Sequence, residues 1–552
     1  MNTILGDLGK SQKFIDLLKQ LEEKQSPIEI SGLTDVGMIQ LASTINEFSK
    51  KPICILTYNE IQAKKIYEDL KYFTDKVVLF PKKEIVTYDY IAESKELPYE
   101  RIEALNKLKS KKNLILVTTI EAAIQKLPSK ELLYKNELKF KVGESYNLEE
   151  IKRKLIDLGY SRYELIEGRG QFSIRGGILD ISIDENIGVR IEFWGDEIDS
   201  IRNFNIINQR SINTLEKATI YPAHEYILEN DISKICKEIE EKYKDYKQKE
   251  NIQEDIEQIK NGNYISKIDK YFDCFYKKQQ TILEYLSKDY GIFLDEIVKI
   301  KQRAKNIQLD NRNLIQNLIE KERFIPEAIN NLLNYEKIEE VIDKNEIVYI
   351  NKQDIESKVN ALKYRFNYRT VNYYKSEIDG LFSDLQKYIN EKKKVYLLVS
   401  TKEKAKKIQK ILEEKEIICK FEEKLNQTII VKSNESIVTI SVGKLSSGFE
   451  CHEINQIVIS ADDLIDGEKK RKRIMHAAFK EGEKVVFADL KIGDYVVHKK
   501  YGIGIYIGVN TIKADNTIKD YIKIKYKNDD VLYIPTNDLD SIRKYIGGDT
   551  IK

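Results

Sequence analysis

The chain has 552 residues, enough for roughly three to five domains of ordinary size. One third of the residues are charged, yet 92 Lys and Arg nearly balance 90 Asp and Glu, which leaves a net charge of +2. This balance excludes a general electrostatic attraction to DNA or to membranes, so any basic patch must be local.

Cysteine and histidine usage indicates a reduced protein without a zinc site. The five cysteines and four histidines are scattered, and no C-x-x-C pair occurs. The N-terminus carries charges and lacks the apolar stretch of a signal peptide, and no apolar run approaches the roughly 20 residues of a membrane span. We therefore expect a soluble, cytoplasmic monomer that does not enter membranes.

Residues 1–136 alternate helical and extended patterns. "KFIDLLKQLEE" is an amphipathic helix, while "PIEIS", "PICILTY", "KVVLFP" and "NLILVTT" are short apolar runs typical of buried parallel strands. Such β-α-β alternation predicts an α/β sheet domain.

The next stretch, 137–224, changes to an α+β pattern. "EEIKRKLIDLGY" predicts a helix, and two later runs predict paired strands with turns at Gly176–Gly177 and around Asn186–Gly188. Residues 225–335 are helical in pattern except for "YGIFLDEI", a short apolar strand that ends in Asp295 and Glu296. We expect 225–335 to complete the α/β domain that 137–224 interrupts.

The C-terminal part alternates again and then becomes all-β. Residues 336–465, from "EIVYIN" to "QIVISADDL", predict a second, small α/β domain that acts as a spacer. Residues 466–486 form a basic linker, interpreted as a solvated connector. Residues 487–548 predict an SH3-like or Tudor-like barrel, with "YGIG" as a tight glycine corner and a hairpin across "KADN". In "YIKIKY", Ile522, Ile524 and Tyr526 face one way, which predicts a sheet with one buried face.

One loop has the glycine frame of a nucleotide-binding loop without its phosphate ligands. Gly32 and Gly37 stand where the frame G-x-x-x-x-G-K-[ST] requires them, but Met38 and Ile39 replace the Lys and the hydroxyl residue. A helix dipole alone contributes up to about 2 kcal/mol, too little to hold a triphosphate tightly. The alternative is an ordinary strand-turn-helix that never bound a nucleotide.

Asp295 and Glu296 favour the first interpretation. An apolar strand that ends in Asp-Glu is the pattern that places Mg²⁺-coordinating and water-activating carboxylates in nucleotide hydrolases. Both outlines occur in the expected order, which predicts a nucleotidase-like fold that has lost its chemistry. The alternative is that the two acidic residues are surface charges at a strand end.

Two long stretches resemble a known family. "GRGQFSIRGGILDI", "RIEFWGDEIDSIRNFNIINQRS" and "YPAHE" are similar to the adaptor module shared by UvrB and the bacterial transcription-repair coupling factors (Mfd). "GDYVVHKKYGIGIYIGV", "DYIKIKYKNDDVLYIP" and "IRKYIG" resemble the RNA polymerase-interacting domain that those factors share with CarD-type regulators. The combination and its order resemble the N-terminal half of a transcription-repair coupling factor.

The resemblance implies an adaptor in transcription-coupled nucleotide excision repair, which binds the β subunit of RNA polymerase and recruits UvrA. It implies a UvrB-like first domain with a degenerate nucleotide site, so no cofactor is expected in this chain. ATP, Mg²⁺ and double-stranded DNA are expected only for the ATP-dependent translocase domains that follow in full-length members, and this chain itself is not expected to be catalytic.

The resemblance also implies two sets of contact residues. The UvrA contacts match Arg175 and Arg190 directly, and Trp194 stands at a third contact position where the family more often has Phe. Strand alternation places Arg190 and Trp194 opposite Ile191 and Phe193. The alternative is a Trp that packs on its own domain edge beside two solvated arginines. The polymerase contact matches Ile512, with Val509 and Lys513 as neighbours, and its alternative is a core residue of the hairpin.

Two other functions compete with the adaptor. A UvrB-like, DNA-binding ATPase is disfavoured by Met38 and Ile39. A CarD-type transcription regulator with a large appendage is disfavoured by "GRGQFSIRGGILDI", which has no role in such a regulator.

Overall fold

The computed structural model of the protein describes most of the chain, and the basic linker 466–486 lies outside the described residues. None of the described helices combines the length and the hydropathy that crossing a bilayer requires. The chain divides into two compact units, Met1–Tyr373 with Phe382–Ser460 and Tyr374–Leu381 with Ala461–Lys552. The described ranges are 2–83, 96–135, 137–228, 231–244, 249–261, 268, 270–320, 332–352, 360–371, 378–425, 437–460, 493–498, 502–514, 517–526, 531–535 and 542–544.

The first stretch has the predicted alternation of helices and strands. Its elements are α1 Thr3–Gly9, α2 Gln12–Glu22, β1 Ile28–Ser31, α3 Asp35–Ser49, β2 Ile53–Thr57, α4 Glu60–Phe73, β3 Val77–Phe80, α5 Glu96–Ser110, β4 Ile115–Thr119, α6 Ile120–Ala123, β5 Leu127–Pro128 and α7 Lys130–Lys135. Several helices begin at side-chain caps, as where Ser11 and Asn59 accept hydrogen bonds from backbone N–H groups of α2 and α4.

The α+β stretch folds into an antiparallel sheet with one parallel pair of strands at its edge and one flanking helix. Its elements are β6 Leu138–Lys141, α8 Leu148–Asp157, β7 Ser161–Arg162, β8 Gln171–Arg175, β9 Ile178–Ser182, β10 Ile187–Trp194, β11 Glu197–Asn205, β12 Ser211–Leu215 and β13 Lys217–Ile220. Six of these strands form one sheet in the order β12-β11-β10-β9-β8-β7. The remaining two, β6 and β13, pair with each other, so the stretch leaves and re-enters the body at neighbouring points.

The predicted turns of this sheet are found with one correction. Gly176, with φ of +60°, and Gly177 join β8 to β9 as predicted. Gly188 is not part of the next turn but lies inside β10, where a Cβ atom would come within 2.6 Å of the Phe204 ring. Close packing, and not a turn, requires glycine there.

The rest of the chain up to Ser460 supplies further helices, three strands of the first large sheet and all strands of a later one. These elements are α9 Ile232–Lys242, α10 Lys249–Lys260, α11 Phe272–Phe275, β14 Gln279–Gln280, α12 Ile282–Tyr285, β15 Gly291–Asp295, α13 Ile297–Glu320, α14 Tyr335–Ile342, β16 Glu346–Asn351, β17 Leu362–Arg365, β18 Tyr368–Thr370, α15 Ile378–Asn390, β19 Lys394–Val399, α16 Lys402–Glu414, β20 Cys419–Glu422, β21 Val438–Val442, β22 Phe449–Cys451, a 3-10 helix His452–Ile454 and β23 Gln456–Ser460.

The first large sheet is parallel throughout, with the strand order β17-β1-β16-β15-β2-β4-β3. The expectation that "EIVYIN" belongs to the later α/β sheet is wrong, because this run is β16 and lies between β1 and β15. A buried parallel strand has the same apolar pattern in either sheet, so the pattern does not indicate which strands lie beside it. The later sheet is mixed, with the order β18-β22-β23-β19-β21-β20.

Two hydrophobic cores lie on opposite faces of the first sheet. One face packs with the inner side of the antiparallel sheet, including Phe172 and Ile191. The other face packs on α1 to α4, and those helices also contact the mixed sheet through residues such as Phe449 and Val458. Helix α3 is consequently enclosed, with Met38 and Ile39 fully buried.

The second unit contains one five-stranded antiparallel sheet, in the order β27-β26-β25-β24-β28. Ile522 and Ile524 are buried on one face, as predicted. The predicted "YGIG" corner is wrong, because Gly504 lies in a strand and a Cβ there would meet Ile524 at 2.4 Å. The strands are β24 Tyr495–His498, β25 Gly502–Ala514, β26 Thr517–Lys525, β27 Val531–Pro535 and β28 Ile542–Lys544.

His224 is a half-buried histidine at the junction between the antiparallel sheet and the body. It packs against Gly159, where an added Cβ would lie 2.0 Å from the imidazole Cδ2. The adjacent Ala223 N–H donates to the Leu158 carbonyl over 2.8 Å, which fixes the segment. Burial lowers the pKa of His224 to about 4, since the interior disfavours the charged imidazolium.

The stability of the first unit should therefore depend on pH through His224. Because the folded pKa is depressed, the unfolded chain binds a proton below about pH 6.5 that the folded chain rejects. We expect the wild type to lose about 2 kcal/mol from this group between about pH 7.5 and about pH 5. His224→Gln should lack this component, and parallel pH profiles of the two unfolding free energies in urea would contradict the assignment.

Candidate functional site

The emptied loop has the local geometry of a phosphate-binding turn. Strand β1 runs into Gly32, whose φ of +74° lies in the left-handed region that glycine favours. The Thr34 hydroxyl oxygen accepts a hydrogen bond from the Gly37 N–H over 3.0 Å and caps α3. The predicted strand-turn-helix is thus present, and Met38 and Ile39 lie within the first turns of α3.

A segment of the same chain closes the space above this loop. The Phe366 N–H donates to the Ser31 carbonyl over 2.9 Å, and the Tyr368 N–H donates to the Gly32 carbonyl over 3.0 Å. A Cβ on Gly32 would lie 2.0 Å from the Phe366 carbonyl oxygen, and one on Gly37 would lie 2.5 Å from the Tyr368 ring. The two glycines therefore give room to protein backbone and an aromatic ring.

Tyr368 connects the loop helix to the mixed sheet through buried hydrogen bonds. Its hydroxyl donates to Gln40 Oε1 over 2.8 Å, and Gln40 Nε2 donates to Gln456 Oε1 over 2.8 Å and to the Ile4 carbonyl over 3.0 Å. Burial raises the pKa of Tyr368 well above its usual value, so the hydroxyl stays a donor. This network fixes α3 from the side that the first sheet does not cover.

Asp295 lies at the carboxyl end of β15 and is fully buried, so it is not a surface charge. Its Oδ2 accepts hydrogen bonds from Thr57 Oγ1 over 2.8 Å and from Gln62 Nε2 over 3.3 Å. Glu296 has a φ of +62°, and its Oε1 accepts a hydrogen bond from the Lys352 N–H over 2.7 Å. The acidic pair thus points into the protein at the edge of the sheet where the emptied loop begins.

Sequence reasoning missed Lys352, the residue directly after β16. Its Nζ lies 2.6 Å from Asp35 Oδ1 and 2.9 Å from Asp295 Oδ1, while Lys65 Nζ lies 2.7 Å from Asp35 Oδ2. Because β16 separates β1 from β15, its end brings a cation between the loop helix and the acidic pair. Only the strand order could have indicated the role of Lys352, and local sequence patterns do not specify strand order.

The charges in this cluster are mutually stabilised. Burial raises the pKa of Asp35, but hydrogen bonds from Lys352 and Lys65 outweigh it and hold the pKa well below its usual value. Burial lowers the pKa of Lys352, but the charge of Asp295 and hydrogen bonds to both carboxylates raise it above the ordinary value overall. Asp35 and Lys352 are therefore both ionised at neutral pH, and the Lys352 ammonium lies beside the carboxylates of Asp35 and Asp295.

The outer face of the antiparallel sheet carries the residues predicted to bind a partner. Ile191 and Phe193 face the core, as the alternation predicted, and Trp194 is 85% exposed on the opposite face. Trp194 ends β10 at a tight turn, where Gly195 adopts a φ of +64°. An exposed indole held at a rigid hairpin is suited to insertion into a pocket of another protein.

The two arginines on this face have different environments. Asp180 is fully buried and accepts hydrogen bonds from Arg190 Nε over 2.7 Å and Nη2 over 2.9 Å, and from Arg175 Nη2 over 2.8 Å. The Arg190 guanidinium also lies 4.4 Å from the Phe204 ring centre. The Arg190 side chain is only 15% exposed, whereas that of Arg175 is 46% exposed.

These contacts differ from the alternative of two solvated arginines, because both guanidinium groups pair with Asp180. The pKa of Arg190 is raised, because hydrogen bonds to Asp180 favour the charged form. Arg190 therefore stabilises the sheet, while Arg175 and Trp194 present free surface. Asp180 was not predicted, because its role depends on the cross-strand register that places it opposite Arg190.

The predicted polymerase contacts lie on the long hairpin of the second unit. β25 pairs with β24 over Gly502–Ile505, and Tyr506 exchanges backbone hydrogen bonds with Gly493 and Asp494. Beyond Tyr506 the described neighbour of β25 is β26. Val509 is 40% exposed there. Ile512 and Lys513 pair with Lys519 and Ile518 in the backbone register, but their side chains lie outside the described part of the structure.

Comparison with protein families matches two parts of the chain. Residues 138–226 match the UvrB interaction domain. Residues 490–546 match the CarD-like/TRCF RID domain. The first range holds Arg175, Arg190 and Trp194, and the second holds all three residues predicted for the polymerase face.

Curated relatives extend the similarity to the rest of the chain. A transcription-repair-coupling factor of Staphylococcus aureus (strain USA300) is 28% identical over 569 aligned residues, which cover 99% of this chain and 47% of the relative. The transcription-repair-coupling factor of Bacillus subtilis (strain 168) is 28% identical over 571 aligned residues, which cover 100% of this chain and 48% of the relative. The chain is similar to transcription-repair-coupling factors over essentially its whole length. It spans about half the length of the curated relatives it matches.

The resemblance to the N-terminal half of a transcription-repair-coupling factor is thereby confirmed. The emptied loop and the Lys352 cluster lie outside both family matches, within the region that only the full-length relatives cover. A solved structure, Cryptosporidium parvum pyruvate kinase, is 12% identical with a TM-score of 0.11 over 87% of this chain and 99% of that chain, which is too low to support a shared fold.

The closed loop predicts the response of the chain to nucleotide. Calorimetric titration of the purified chain with Mg·ATP should show no binding in the micromolar range, and no phosphate should be released. The reason is that Met38 supplies no charge and that Asp35 adds a negative one at the helix start. A P-loop ATPase in the same buffer serves as the positive control, and a micromolar dissociation constant would contradict the prediction.

Proposed function

We propose that this chain is an adaptor of transcription-coupled nucleotide excision repair, which binds the β subunit of RNA polymerase and recruits UvrA. The observation that carries the proposal is the presence of both a UvrB interaction domain and a CarD-like/TRCF RID domain in one chain. Relatives named transcription-repair-coupling factors contain this whole region. A CarD-type regulator does not account for residues 138–226.

The UvrA contact is assigned to Trp194 and Arg175, supported from beneath by Arg190 and Asp180. Asp180 holds both guanidinium groups in place, so little side-chain freedom is lost when a partner binds. Trp and Arg are the side chains that most often dominate the affinity of protein interfaces. The neighbouring Glu192 is paired with Arg202 across the sheet. The Arg175 side chain is more exposed than that of Arg202, so Arg175 is the more accessible cation on this face.

The polymerase contact is assigned to the part of β25 beyond Tyr506, with Ile512, Val509 and Lys513 along it. A strand whose edge continues past its neighbour can add a partner strand through main-chain hydrogen bonds, with side chains for specificity. The five antiparallel strands are compatible with closure into the SH3-like or Tudor-like barrel that the sequence predicts. Closure of that barrel is part of the proposal.

Nucleotide chemistry is not assigned to this part of the protein. The Lys352 cluster and the Phe366–Tyr368 segment support a first domain that is UvrB-like and inert. ATP, Mg²⁺ and DNA translocation are proposed for the remainder of full-length proteins of this family. A cytoplasmic monomer remains our proposal for the working form.

The domain boundaries also remain a proposal. The pairing of β6 with β13 supports an insert over 137–224, since its two ends lie side by side. Strand β16 supports a later start for the second α/β domain than residue 336.

Loss of the exposed anchors should weaken UvrA binding without unfolding the sheet. Arg175→Ala with Trp194→Ala should raise the dissociation constant for UvrA by about 30-fold or more, the effect of a typical interface anchor. Biolayer interferometry measures it, and thermal melts check the fold. Ile212→Ala, an exposed apolar residue on β12, is the matched control. Unchanged affinity of the double variant would refute this face.

A charge placed on the β25–β26 hairpin should separate the two binding activities. Ile512→Arg should abolish binding of the polymerase β subunit in a pull-down titration and leave UvrA affinity intact. Val531→Arg, on an exposed position of β27 in the same sheet, is the matched control. Loss of both activities, or of neither, would be inconsistent with the proposed division.

A further inference from the structure

The Lys352 ammonium lies between two carboxylates from different elements. One is Asp35 in the first turn of α3, at 2.6 Å, and the other is Asp295 at the end of β15, at 2.9 Å. The Lys352 side chain is 19% exposed and Asp295 is fully buried. A cation is therefore fixed at the carboxyl edge of a parallel sheet, where ligands of α/β folds bind.

The buried carboxylate requires this cation. An unpaired carboxylate in the interior costs several kcal/mol, and the neutral donors Thr57 and Gln62 supply hydrogen bonds but no charge. Lys65 pairs with Asp35 on its more exposed side. Among the charged side chains of the described cluster, Lys352 is the one that contacts both carboxylates.

The backbone of Lys352 ties the same residues together. Its N–H donates to Glu296 Oε1 over 2.7 Å, and the Glu296 N–H donates to the Ile350 carbonyl over 3.0 Å. Glu296 adopts a left-handed φ of +62°, a conformation that needs such support in a residue with a long side chain. Lys352 thus contacts α3, Asp295 and Glu296 at once.

We propose that Lys352 is a tethered cation that substitutes for a metal ion between Asp35 and Asp295, and that it holds this edge of the sheet in one arrangement without any ligand. The position between the two carboxylates is then always filled by the Lys352 ammonium. This inference does not depend on UvrA or on RNA polymerase, so its test is independent of the proposed adaptor role.

The first test removes the charge in the full chain. Lys352→Met keeps most of the side-chain volume, and it should lower the melting temperature by roughly 5 to 10 °C because Asp295 is left buried and unpaired. Lys352→Met combined with Asp295→Asn should recover most of that loss. Lys299→Met, which removes a half-exposed lysine 3.6 Å from Glu296, is the matched control and should have little effect.

The second test distinguishes a substitute cation from an ordinary ion pair. Manganese chloride should raise the melting temperature of Lys352→Ala, because the vacated position lies between two carboxylates, and it should not shift the wild type. Failure of the double variant to recover would overturn the coupling of Lys352 to Asp295. If the double variant recovers but manganese does not stabilise Lys352→Ala, then Lys352 is only a structural ion-pair partner. That result would overturn the proposal that Lys352 substitutes for a metal ion.

Discussion

Helix α3 is enclosed on both sides, and the arrangement of the first unit depends on that enclosure. The parallel sheet covers one side, and the mixed sheet covers the other through Tyr368, Phe449 and Gln456. A nucleotide-binding loop needs an open helix start, where N–H groups can reach phosphate oxygens. Here the backbone of Phe366 and the ring of Tyr368 lie at that start, and glycine at positions 32 and 37 allows their approach.

The charges at the same edge are arranged for internal balance. Asp35 places a carboxylate in the first turn of α3, Asp295 is buried beside it, and Lys352 contacts both. In a catalytic site such carboxylates would remain available to metal and water. In this protein both carboxylates pair with Lys352, so they stabilise the packing at this edge of the sheet.

The outer face of the antiparallel sheet uses a comparable buried carboxylate in a different way. Asp180 orients Arg190 against Phe204 and also restrains the more exposed Arg175. Trp194 lies at the end of the same strand as Arg190 with most of its surface exposed. Asp180 thereby restrains the exposed Arg175, so a small sheet can present an ordered side chain on its surface.

Much of the secondary structure could be predicted from the sequence. Apolar period, glycine turns and caps are local, so the strands β1 to β4, the helix α8, the Gly176–Gly177 turn and the buried face of Ile522 and Ile524 were all predicted. The alternation in β10 also placed Trp194 outside and Phe193 inside. The family resemblance followed from two stretches whose motifs are local as well.

The sequence by itself determined that Met38 and Ile39 stand where a nucleotide-binding loop has Lys and a hydroxyl residue, because these positions can be read without a fold. Only the tertiary structure decided what surrounds that loop. Lys352 is more than 300 residues from Asp35 along the chain, and the two meet because β16 lies between β1 and β15. Likewise, register set Asp180 opposite Arg190 and made that arginine structural. Strand order and register are long-range properties, and no local pattern of side chains specifies them.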